Sequence, residues 1–128
     1  MTPDDTAASL EAAERLFAAI MRGDVEGVRA VYSPECVIWH NNEGAEQNVE
    51  QNLRVLGWVV KNVKGLRYEE VQRQSTPSGF VQQHVLRGTG PSGAAVEIRA
   101  CIVAKVEKGR ITRLDEYLDS AQVKPLLG

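Results

Sequence analysis

An α+β fold, with three N-terminal helices packed on a curved, mostly antiparallel sheet that encloses a pocket, is what this 128-residue chain predicts. Two observations predict it. Apart from one strand-type run at 36–40, apolar residues recur at helical spacing as far as Val63, and beyond that point they alternate with polar ones in stretches separated by turn sequences. Three helices with one strand set between the second and the third, followed by a run of four strands, mark the α+β class.

Leu10, Ala13, Leu16, Phe17 and Ile20 follow the capping candidates Asp4, Asp5 and Thr6 and place the first helix over 6–22, ended by Gly23. Asp24 caps a short second helix carrying Val25, Val28 and Val31. It stops at Ser33-Pro34, because the proline ring cannot continue it. The β-branched and aromatic run Cys36–His40 is a strand, closed by the turn residues 41–44. Asn48 and Gln51 stand at capping-box spacing, and Val49, Leu53, Leu56, Val60 and Val63 then carry a third helix over 48–63. Strands follow at 66–75, 79–88, 94–107 and 110–118, divided by turn sequences at 76–79, 88–93 and 108–109, so hairpins make them an antiparallel meander. Residues 1–128 read as a single domain, with no internal repeat.

Fifteen basic residues against seventeen acidic ones, a net charge of -2, argue against nucleic acid as a partner, since such binders carry a basic face. No apolar stretch approaches the roughly 20 residues of a membrane span, and the N-terminus lacks the pattern of a signal peptide, so no membrane association and a cytoplasmic location are expected. Cys36 and Cys101 fall on separate strands and read as buried free thiols. Their spacing matches no metal site.

The polar residues of chemical interest lie on strand faces that are otherwise apolar. Residues two apart in a strand share a face, so Phe80, Gln82, His84 and Leu86 form one wall and Leu114, Glu116 and Leu118 another. Two readings of Glu116 with His84 stand at this point: an acid–base pair, or a structurally satisfied one. Desolvation raises a carboxylate pKa and a neighbouring imidazolium lowers it, so such a pair is tunable in either direction. His40 shares a face with Ile38, and two readings of it stand: a further polar group at the pocket mouth, or a surface residue at the strand end before the turn Asn41-Asn42. Phe17, Ile20, Leu56, Val60, Ile98 and Ala100 are the apolar lining candidates on the other elements, and Trp39 is one on the first strand. Arg87, Glu97, Arg99, Lys105, Arg113, Asp115 and Tyr117 belong to the opposite face of the sheet.

The order ααβαββββ, the segment GDVEGVRAVYSPECVIWHN and the closing GRITRLDEYLD resemble the nuclear-transport-factor-2-like (NTF2-like) superfamily, a cone-shaped α+β barrel, and within it the SnoaL-like branch. The likeness runs from about residue 7 to 119. SnoaL-like polyketide cyclases carry Gln-x-His on a middle strand and an acidic residue on the last, and Gln82, His84 and Glu116 stand in those places, with Glu replacing the cyclase Asp. The resemblance implies a cofactor-independent enzyme acting on an apolar, carbonyl-containing small molecule. Glu116 is then the general acid/base, His84 its partner and proton shuttle, and Gln82 the donor that positions an oxygen. It also implies a homodimer through the outer face of the sheet.

Limonene epoxide hydrolases share the length and the closing text, but Gln82 and His84 stand where that family has Arg and its middle Asp, and Ile38 and His40 where it has Tyr and Asn. Ketosteroid isomerases place their general-base Asp where His40 falls, and an oxyanion-binding Tyr near Leu16. Two alternatives accompany the cyclase reading: a non-catalytic ligand-binding or dimerisation module, and an epoxide hydrolase or dehydratase with altered site residues.

Overall fold

The computed structural model describes residues 3–127, which form helices packed on a curved, six-stranded open sheet. α1 (Pro3–Met21) buries Ala12, Ala13, Leu16, Phe17 and Ile20, the face its periodicity marks. Gly23, at φ +70°, lets the chain leave it, and the Asp24 carboxylate accepts from the Gly27 amide to cap α2 (Val25–Val31). α3 (Val49–Asn62) opens with the expected capping box: the Asn48 side chain accepts from the Gln51 amide, and the Gln51 side chain accepts in return, both at 2.9 Å.

The strands are β1 (Tyr32–His40), β2 (Glu46–Gln47), β3 (Lys64–Thr76), β4 (Gly79–Thr89), β5 (Ala95–Glu107) and β6 (Arg110–Leu118). β3 to β6 form the anticipated antiparallel meander. The tight β5–β6 turn holds Lys108 and Gly109 both at positive φ, the backbone of a two-residue hairpin. Three features lie outside the sequence reading. β1 begins at Tyr32 rather than Cys36 and takes Pro34 into an irregularity between Tyr32 and Val37; short β2 pairs with it; and after β6 a 3₁₀ turn (Ser120–Val123) leads into α4 (Lys124–Leu127).

The sheet order is β2-β1-β6-β5-β4-β3, with β1 parallel to β6. That parallel pair is the exception in an otherwise antiparallel sheet. It sets His40 directly opposite Glu116.

Two bulges set which side chains turn inward. Between Glu69↔Val85 and Gln72↔Gln83, β3 carries one residue more than β4, and Glu70 takes φ +54° there. The parity of β3 reverses, so Tyr68 before the bulge and Arg73 after it both face the concave side. In β6 the extra residue is Thr112, so both Ile111 and Leu114 are buried.

Helices and sheet close on a core that includes Leu16, Phe17, Val28, Ile38, Phe80 and Ile111. Phe17, Ile38, Phe80 and Leu114, expected as pocket lining, are 0–4% exposed and fill this core. Trp39 is a second correction. It is the outward neighbour of Ile38 and packs edge-on against Tyr117, with ring centroids 5.3 Å apart, because successive strand residues alternate faces. Cys36 is buried as expected, but Cys101 is half-buried. No helix among the described residues is long and apolar enough to cross a membrane.

Candidate active site

Glu116 and His40 form the ionisable pair of the concave wall. The Glu116 carboxylate lies 2.9 Å from His40 Nε2, and both side chains are 19% exposed. Their contact follows from register, since β1 and β6 are hydrogen-bonded neighbours. The expected partner of Glu116 was His84, and the structure places that residue elsewhere. β5 intervenes between β6 and β4: Glu116 is opposite Ile102, whereas His84 is opposite Ala100, one step along and one strand further.

His84 instead belongs to a chain of polar side chains leading inward from the surface. Arg73 Nη1 donates to Glu14 at 3.1 Å, and Arg73 Nε to Gln82 Oε1 at 2.6 Å. With its oxygen so engaged, the Gln82 amide directs its nitrogen to His84 Nδ1, 2.9 Å away. Nδ1 therefore accepts, and the ring proton of neutral His84 sits on Nε2. Gln82 is fully buried and His84 is 3% exposed. Phe17 and Tyr68 both pack edge-on against the imidazole, at centroid distances of 5.4 and 4.6 Å. The Arg73 guanidinium also lies 5.7 Å from the Phe17 ring centroid.

Beside this wall is a cavity of about 200 Å³. Ile20, Leu56, Leu86, Ile98, Ala100 and Leu118, all expected as lining, do line it, while Val60 gives way to its neighbours Trp58 and Val59 on α3. Its polar lining comprises His40, Glu116, Tyr68 and Asn52 with Asn42, Glu43 and Gln47 near the loop before α3. Asn52 is held on both sides, accepting from the Tyr32 hydroxyl at 2.9 Å and donating to Gln47 at 3.3 Å. Val123, Leu126 and Leu127 of the C-terminal segment complete the lining. That segment seats against Gly90, where an added Cβ would stand 2.1 Å from the Pro125 carbonyl oxygen. A wider groove of about 1130 Å³ beside the β5–β6 turn is lined by Ser78, Lys105, Lys108 and Arg110 among others, and contains neither histidine nor Glu116.

Electrostatics divide the two histidines. Burial works against the charged form of His40, but the hydrogen bond and charge of Glu116, with the Glu43 charge, outweigh it and hold its pKa above the usual value. For His84, burial dominates and the Arg73 charge adds to it, so its pKa is lowered despite the opposing charge of Glu116. Tyr68 is pushed far above the usual phenol value by burial and then by the Glu116 charge, which keeps its hydroxyl protonated. The Cys36 thiol is pushed up to about 12 by burial and is not a thiolate at neutral pH. Among the described residues no three His, Cys, Asp or Glu side chains gather as metal ligands.

Arg73, Tyr68, Asn52 and the C-terminal segment are the site features that sequence reading missed, whereas Trp58, like Trp39 a candidate for either pocket lining or core, does line the cavity. Leu66 and Tyr68, two apart in a predicted strand, were the signal for Tyr68. Arg73 had none, since simple alternation across an unseen bulge sends it outward.

A family model for the SnoaL-like domain matches residues 13–114. No curated protein matches the chain in sequence. Among solved structures, a candidate isomerase from Bacillus subtilis superposes with a TM-score of 0.84 at 13% identity, covering 100% of this chain and 96% of that one. An LEH-like epoxide hydrolase from M. tuberculosis gives 0.77 at 20% identity, covering 95% and 91%. A candidate polyketide cyclase from Xanthomonas campestris gives 0.79 at 15% identity, covering 93% and 98%. At these identities the structural likeness speaks for the fold.

Proposed function

Because the chain belongs to the SnoaL-like domain family, we propose that its cavity performs cofactor-independent acid–base chemistry on a small apolar carbonyl compound, with Glu116 as general base and His40 as its hydrogen-bonded partner. The observation that carries this reading is the 2.9 Å His40–Glu116 contact at the wall of a cavity lined largely by apolar side chains. The apolar walls strengthen the interaction within the pair, and the Glu116 charge favours the protonated form of His40.

In the proposed reaction Glu116 takes a proton from the carbon next to the carbonyl, and the released electron pair forms an enolate. The enolate carbon then attacks a second carbonyl of the same molecule, as in a cyclisation, or, where the enolate is conjugated with a carbon–carbon double bond, the proton is returned to the far carbon of that system, as in an isomerisation. Glu116 returns the proton, so nothing is oxidised or reduced. His40 keeps the carboxylate oriented throughout. The Gln82 amide, engaged at both ends, supports His84 and the wall behind the site, and does not need to reach the substrate.

The test is a panel of enolisable ketones and 1,3-dicarbonyl compounds incubated with the protein in D₂O, with deuterium uptake followed by NMR. Uptake beside the carbonyl faster than in buffer supports the reading. No acceleration for any member of a panel that includes ring-sized compounds overturns it.

One observation favours a second reading, a binding module without chemistry. The cavity, at about 200 Å³, is smaller than the roughly 300–1,000 Å³ usual for small-molecule sites. Saturable binding of a ring-sized compound without exchange in any panel member would favour that module.

A further inference from the structure

Tyr68 has two properties that the acid–base pair does not use. It lines the cavity together with Glu116, and among the described residues its hydroxyl has no hydrogen-bond partner. The other deep polar groups nearby are committed: Gln82 to Arg73 and His84, Asn52 to Tyr32 and Gln47, and His40 to Glu116. A phenol O–H in apolar surroundings is a strong donor whose bond is unmade until a ligand supplies an acceptor. Its ring is clamped edge-on by Phe17 at 4.9 Å and His84 at 4.6 Å between centroids, so little motion is lost when it binds.

Placement matches the need. β3 and β6 stand three positions apart in the sheet order, with β4 and β5 between them, so donor and carboxylate rise from separate strands of the concave wall, β3 at its edge and β6 in its interior. Tyr68 is brought to the inner face by its register with Leu86, ahead of the bulge at Glu70. Size limits what fits between them. A cavity of about 150 Å³ takes up benzene, so about 200 Å³ admits one substituted ring, and a fused polycycle is too large.

We propose that Tyr68 donates to the oxygen on which negative charge develops, and that the ligand of this cavity is a compact, single-ring-sized enolisable carbonyl compound. This rests on the reading of Glu116 as the base, and adds to it the oxygen-binding residue and the substrate class. The donor is most useful where the oxygen is most negative, so it favours the enolate over the neutral ketone.

The test separates binding of the oxygen from proton removal. Glu116→Gln removes the negative charge that would repel an anion, and in that background the cyclohexane-1,3-dione enolate is titrated by calorimetry, with toluene as a ring of similar size that accepts no comparable hydrogen bond. Adding Tyr68→Phe is expected to weaken dione binding about tenfold or more, the effect of a hydrogen bond to a charged group, and to leave toluene binding within about twofold. Equal losses for both probes would show that Tyr68 only shapes the cavity and would overturn the proposal. So would undiminished dione binding, or a Glu116→Gln protein that binds toluene and refuses the dione. If the dione binds through Tyr68 while the wild-type protein exchanges no deuterium, the oxygen site stands and the acid–base reading of Glu116 fails.

Discussion

His40 Nε2 and the Glu116 carboxylate meet at 2.9 Å because β1 runs parallel to β6, the exception in an otherwise antiparallel sheet. The contact joins residues 76 positions apart in the chain, as hydrogen-bonded strand neighbours. The same row continues across the sheet through Ile102, Gln82 and Arg73, so one line of cross-strand partners contains both the acid–base pair and the support for His84.

The two histidines should titrate in opposite directions from their usual value, His40 upward and His84 downward. Because the chain has only two, their ring-proton NMR signals can be assigned by single substitutions. Glu116→Gln is expected to lower the pKa of His40, by removing the hydrogen bond and charge that raise it. It also lowers that of His84, more weakly, since only a distant charge is lost there. Unchanged titration of His40 in Glu116→Gln would show that the pair does not form in solution.

Stability should follow from the same two shifts. The contribution of His40, whose folded pKa is raised, is fully present below the unfolded pKa of about 6.5 and is lost as pH rises through the folded value. His84 has the opposite sign: the unfolded chain takes up a proton first, so stability falls as pH drops from about 6.5 towards its lowered folded value. Urea unfolding from pH 5 to 8 should therefore show these two contributions bending downward on either side of about pH 6.5. His40→Gln should flatten the alkaline side, and a slope unaltered by it would contradict the assignment.

Arg73→Met should destabilise the fold by about 1–3 kcal/mol, because it strips the oxygen of fully buried Gln82 of its charged donor. The thermal midpoint should drop by roughly 3–10 °C. Glu14→Gln, which removes only the exposed end of the chain, should shift it by a small fraction of that. Equal effects of the two would mean that Gln82 is satisfied without Arg73.

Gly90→Ala should loosen the C-terminal segment from the cavity, since the added methyl has no room beside the Pro125 carbonyl. Amide hydrogen exchange over 120–127 should accelerate at least about fivefold, the effect of roughly 1 kcal/mol, while β4 and β5 retain their protection. Unchanged exchange in the segment would show that it does not rest on Gly90.

Much of the fold was legible because its signals are local: the period of α1, the Asn48–Gln51 box and the turn residues each act within a few positions. Gln82, His84 and Glu116 were legible as inward residues for the same reason, since alternation reports which face a side chain takes. Which inward residue meets which was not. That depends on strand order, and the parallel return of β1 beside β6 gives His40 to Glu116 and leaves His84 to Gln82. Arg73 was hidden by the bulge at Glu70, a single inserted residue that reverses parity without a glycine to announce it.

Proton removal by Glu116 is tested most directly by the rate of deuterium uptake by the panel compound that wild type exchanges fastest, compared between wild type and Glu116→Gln. A loss of roughly 100-fold or more is expected, with the thermal midpoint close to that of wild type, since the pair is partly exposed and the substitution keeps its shape. Exchange in Glu116→Gln at the wild-type rate, in a folded protein, would contradict it.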